Sequence, residues 1–97
     1  MDLQAEFAKY EDEWIKFSDV KDKRHSRPDL CAFLILADLV PSSYKDYDIV
    51  TAAEHDQIWL DVDCEKLAKV VTPEIVHDLA GCGVFYDDDI ESLTMFV

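Results

Sequence analysis

The chain has 97 residues, of which 49% are hydrophobic, and a formal net charge of -13 from 22 acidic against 9 basic side chains. That length supports one domain with a single core, and the charge argues against direct binding to nucleic-acid phosphates, which calls for the opposite sign. No apolar run is long enough to span a bilayer, and the N-terminal Asp2 and Glu6 do not resemble a secretory leader, so a cytoplasmic protein with no membrane association is expected.

Leu3, Phe7, Tyr10, Trp14 and Phe17 recur at steps of four and three, with Glu6, Lys9, Glu13 and Lys16 off that stripe. The spacing predicts an amphipathic helix of about four turns. Ser18 to His25 is polar and aperiodic, hence a connection. It opens a basic cluster of Lys21, Lys23, Arg24 and Arg27. Ser26, Pro28 and Asp29 resemble a capped helix start, and Leu30 to Val40 follows, apolar at every position except Asp38. This second helix is expected to be the central core element, surrounded by the others, and to end at Pro41. Tyr44 and Tyr47 then stand in a polar loop, as partner anchors or as packing residues.

Ile49 to Ala53 and Gln57 to Val62 predict a hairpin turning at Glu54 to Asp56, with Ile58, Leu60 and Val62 on one face and Trp59 and Asp61 on the other. Asp63 is placed to cap a short helix over Cys64 to Val71, and Thr72 with Pro73 starts another, stopping at Gly81. Val84 to Tyr86 and Leu93 to Phe96 predict a closing hairpin around the acidic turn Asp87 to Glu91. The expected fold is therefore a single α+β domain: two N-terminal helices, then a roughly four-stranded antiparallel sheet made of two hairpins with a helical pair between them.

The chemistry-bearing residues are mostly carboxylates. Asp61 and Asp63 form a D-x-D at a strand end, and Asp87, Asp88, Asp89 and Glu91 crowd one turn. Paired carboxylates on one face could hold a divalent metal for a hydrolase, but the acidic turn lacks the glycine and terminal glutamate spacing of an EF-hand loop. No glycine-rich phosphate loop, nucleophile elbow or zinc-binding helix motif is present, so no cofactor, metal or catalytic residue is assigned. Cys31, Cys64 and Cys82 fit reduced thiols. Cys82 follows a helix C-terminus, where the dipole disfavours a thiolate.

The acidic surface itself remains. Glu11, Asp12, Glu13, Asp61, Asp63, Asp87, Asp88, Asp89 and Glu91 are the candidate partner-binding residues, and the expected partner is a basic nucleic-acid-binding protein or complex. In size, in charge and in its closing segment (Cys82 to Tyr86, then Ser92 to Val97) the chain resembles the small acidic proteins that bacteriophages make against host defences, the anti-CRISPR and DNA-mimic anti-restriction proteins. Those families share no single fold, so the resemblance assigns no residue. It implies non-catalytic inhibition, as monomer or homodimer, by occupying a nucleic-acid-binding surface. Neutralisation of a basic toxin, as by an immunity protein or antitoxin, is the alternative from a second class, and the metal-dependent hydrolase is a third.

Overall fold

In the computed structural model, which describes residues 2–11, 13, 15–41 and 49–96, the elements are α1 (Leu3–Ala8), a 3-10 turn (Phe17–Asp19), α2 (Pro28–Leu39), β1 (Val50–Glu54), β2 (Gln57–Leu60), α3 (Cys64–Val70), α4 (Pro73–Gly81), β3 (Val84–Asp87) and β4 (Ser92–Phe96). The strands form one antiparallel sheet in the order β1-β2-β4-β3, so the two hairpins meet along β2 and β4. The α+β class, the strand count and the antiparallel pairing are as the sequence predicts.

The N-terminus differs from expectation. Asp2 caps α1 by accepting from the Ala5 N–H at 3.2 Å, and Leu3 and Phe7, one turn apart, are buried. The helix nevertheless ends at Ala8 instead of running on to Phe17. Tyr10 sets its ring edge against His77, with centroids 5.7 Å apart, and Ile15, Lys16 and Val20 pass over the end of α4. Gly81 makes that passage possible, because a Cβ there would lie 2.6 Å from Val20 Cγ2 and 3.1 Å from the Lys16 carbonyl oxygen. Periodicity alone cannot hold a solvent-exposed helix when tertiary packing favours another path.

Buried Asp78 fixes the loop that follows, accepting the Lys21 N–H at 3.0 Å and the Asp22 N–H at 3.2 Å. Sequence reading missed this role, because an Asp beside His77 in an acidic chain carries no periodic signal.

α2 starts at Pro28 as predicted, but Arg27 is the capping residue and makes no side-chain cap, so the expected Ser26 capping box is not formed. It also lies at the surface instead of being surrounded. Cys31, Ala32, Ile35 and Leu36 are buried while Leu34 is 45% exposed. An apolar sequence on every side hides which side faces out.

The remaining caps match their predictions. Asp63 accepts from the N–H groups of Glu65 and Lys66 at 3.0 and 3.2 Å, and Thr72 accepts from Ile75 at 3.3 Å with Pro73 in the first turn. Val71 and Thr72 are extended, so α3 and α4 are separate helices. The left-handed residue after α4 is Gly83, at φ 95°, and not Gly81.

One face of the sheet belongs to the core. Leu60, Leu93, Met95 and Val84 are buried in a single cluster with residues of all four helices, and Ile58 and Tyr86 pack at its border. The opposite face carries Ala52, Trp59, Thr94 and Phe85 in one register row. Trp59 is half-buried there, on the face away from the core cluster.

Candidate functional site: an acidic cleft

Three chain segments converge on a cleft of about 550 Å³: the start of α1, the start of α3, and the end of the β3–β4 turn. Its carboxylates are Asp2, Asp63, Glu65 and Glu91, and neither Lys nor Arg is among its described lining residues. Two of these acids are there because helices need them. Asp2 and Asp63 each satisfy backbone N–H groups that the first turn leaves without partners. Glu91 reaches the cleft from a left-handed turn position, at φ 51°. Asp88 is tied to the same region by accepting from the Gln4 side chain at 3.1 Å, which joins the acidic turn to α1.

Tyr86 and Cys64 lie among these acids. Burial first, and then the neighbouring Cys64, Glu91, Asp2 and Asp88, raise the Tyr86 phenol above its ordinary value. Burial, and then Asp63, raise the Cys64 thiol, against a backbone hydrogen bond from Leu93 that lowers it. Both groups therefore keep their protons at neutral pH. A cleft with a protonated thiol, a protonated phenol and a ring of carboxylates attracts cationic groups, and neither of those two offers an activated nucleophile.

The predicted partner-binding residues are thus divided. Asp63 and Glu91 line the cleft, and Asp88 approaches it through Gln4. Asp87 and Asp89 are in the same turn, where Asp87 accepts the Asp89 N–H at 3.0 Å. Asp61 is exposed just past β2 and does not share a strand face with Asp63, because β2 ends at Leu60 and Asp63 turns to cap α3. Glu11 lines a different, more apolar groove with Phe85 and Phe96, and Glu13 is exposed beyond it. Asp12, and likewise Trp14, Tyr44 and Tyr47, lie outside the described residues. Asp2 and Glu65 were absent from the sequence-based set, although the capping pattern at both helix starts could have found them.

Among the described residues no group of three or more His, Cys, Asp or Glu is arranged to hold a metal ion, so the D-x-D does not assemble a metal centre with the acidic turn. The basic cluster is largely engaged internally: Arg24 pairs with Asp22 and Asp38, and Arg27 with Asp29. No described helix is long and apolar enough to cross a membrane. In comparisons with known proteins, no family model matches the chain, and neither a curated protein nor a solved structure does so.

Proposed function

We propose that this protein is a non-catalytic inhibitor or decoy whose carboxylates occupy a basic, nucleic-acid-binding surface of a partner protein or complex. The observation that carries the reading is the convergence of Asp2, Asp63, Glu65 and Glu91 on one cleft without a basic lining residue, on a chain of net charge -13. Asp2 and Asp63 also cap helices, whereas Glu65 and Glu91 add like charge to the same concavity without capping a helix, which opposes folding. Facing a basic surface, the same charges speed association and favour the correct partner. The resemblance to phage anti-defence proteins extends the proposal to a host defence complex as that partner.

The test uses Glu65→Lys, Glu91→Lys and Asp89→Lys together, since none of these side chains caps a helix. Immobilised parent protein is expected to capture a basic protein from bacterial lysate at low salt and to release it when duplex DNA is added. The triple variant, folded by circular dichroism, should capture about tenfold less, through a slower association rate. Equal capture by both proteins, indifferent to salt and to DNA, would remove the cleft from the interface and the decoy reading with it.

A further inference from the structure

The open face of the sheet has a composition of its own. Trp59 and Phe85 flank Thr94 in one register row, about two strand spacings or roughly 10 Å apart. Thr94 is fully buried, although it stands on the face turned away from the core. Its hydroxyl is used within the sheet, donating to the Ile58 carbonyl at 2.7 Å and accepting from the Gln57 side chain at 3.0 Å. Phe96, 57% exposed, stacks on Phe85 with centroids 5.5 Å apart and ring planes at 27°. The result is an aromatic floor with its polar atoms already satisfied.

The charges on the strands themselves have one sign, and Arg27, which lines a groove beside Phe96, is paired with Asp29 at 3.0 Å. None of the four strands contains Lys or Arg, while Glu54 shares the face at the end of β1 and Asp87 at the end of β3. Glu11 borders the groove that Phe85 and Phe96 continue into. A second copy of the chain, itself of net charge -13, and a nucleic-acid strand with its phosphates both meet repulsion here. The complementary group is cationic and planar. A guanidinium stacks on aromatic rings and takes a carboxylate at its edge, whereas an ammonium is more strongly hydrated and forms no such fork.

We propose that the face formed by Trp59, Phe85 and Phe96, between Glu54 and Asp87, docks an extended arginine-containing segment of a protein partner. The inference rests on the reading of a basic partner and specifies the side chain it presents. A carboxylate can itself favour arginine over lysine, so an arginine preference that depends on the aromatic rings separates the two ideas.

The experiment titrates the whole protein at low salt with ten-residue peptides alternating glycine with arginine, lysine or citrulline, and follows the Trp59 indole resonance by NMR. The arginine peptide is expected to bind at least about fivefold tighter than the lysine peptide and to shift Trp59, while the uncharged citrulline peptide is inert. Phe85→Leu and Phe96→Leu keep the face apolar and should erase the arginine preference while leaving charge-driven binding. Equal, ring-independent binding of the arginine and lysine peptides with Trp59 unmoved would overturn the docking face and leave the acidic reading standing. Binding of neither at low salt would overturn both. Shifts of Trp59 by the citrulline peptide, by a ten-nucleotide oligo-dT strand, or by raising the protein concentration alone would assign the face to another occupant and refute the proposal.

Discussion

Asp78 offers the sharpest test of how the N-terminal third of the chain is held. Its carboxylate is buried and accepts two backbone N–H groups, from Lys21 at 3.0 Å and Asp22 at 3.2 Å, across 57 and 56 residues of sequence. A hydrogen bond to a charged acceptor contributes about 1.5–3 kcal/mol, so two give roughly 3–6 kcal/mol before offsets. Lys21 and Asp22 are themselves exposed, which lets water replace part of the loss, and removing a buried charge recovers some desolvation. Asp78→Ala should therefore cost about 2–4 kcal/mol, equivalent to roughly 10–25 °C in Tm for a domain of this size. Asp78→Asn keeps one acceptor but turns an amide NH2 toward the other donor, and should cost about half as much. Urea unfolding followed by far-UV circular dichroism gives both values, and amide exchange reports whether the Lys21 and Asp22 N–H groups have lost protection. An alanine variant within about 1 kcal/mol of the parent, with those two amides still protected, would show that the loop is held by something else.

Other outcomes follow from the same packing. Gly81→Ala, ordinarily a gain of about 1 kcal/mol in a helix, should instead destabilise by about 1–3 kcal/mol because the new Cβ falls 2.6 Å from Val20 Cγ2; adding Val20→Ala should recover part of that loss, and strict additivity in denaturation would contradict the clash. Leu34→Asp, at a site 45% exposed, should leave a folded protein within about 1 kcal/mol of the parent, whereas Leu36→Asp, at 1% exposure, should not fold; equal behaviour in circular dichroism would refute the placement of α2. Partly buried Cys64 should be alkylated by iodoacetamide before the buried Cys31 and Cys82. The Cys82 thiol is pushed up to about 12 by burial and then by Cys31, so modification of Cys82 at the Cys64 rate near pH 8.5 would contradict that environment. Because the folded state holds the Cys82 proton more tightly than the unfolded chain does, this contribution to stability is complete below pH 9 and falls as pH rises from 9 toward about 12, which urea titrations across that range would measure.

Much of the architecture was legible because it follows from local rules. Alternation over Gln57 to Val62 identified a strand that the structure ends at Leu60, Thr72 with Pro73 identified a helix start, and Asp63 followed by an apolar-periodic run identified a cap, each from groups only a few residues apart. The length of α1, the outward side of α2 and the role of Asp78 depend on contacts between distant segments. Leu3 to Phe17 has a helical stripe, yet Gly81 admits the chain across the end of α4 and that burial takes precedence. The candidate site divides in the same way. Charge and composition already indicated an acidic surface, but a carboxylate in sequence has no neighbour beyond its own turn. The convergence of Asp2, Asp63, Glu65 and Glu91 on one cleft, and the exposure of Phe96 beside Trp59 and Phe85 on the open face, were decided only when the two hairpins paired through β2 and β4 and α1 packed beside β3. Local sequence determines which backbone groups are capped and which residues alternate, whereas pairing between segments tens of residues apart determines which charges and rings share a surface.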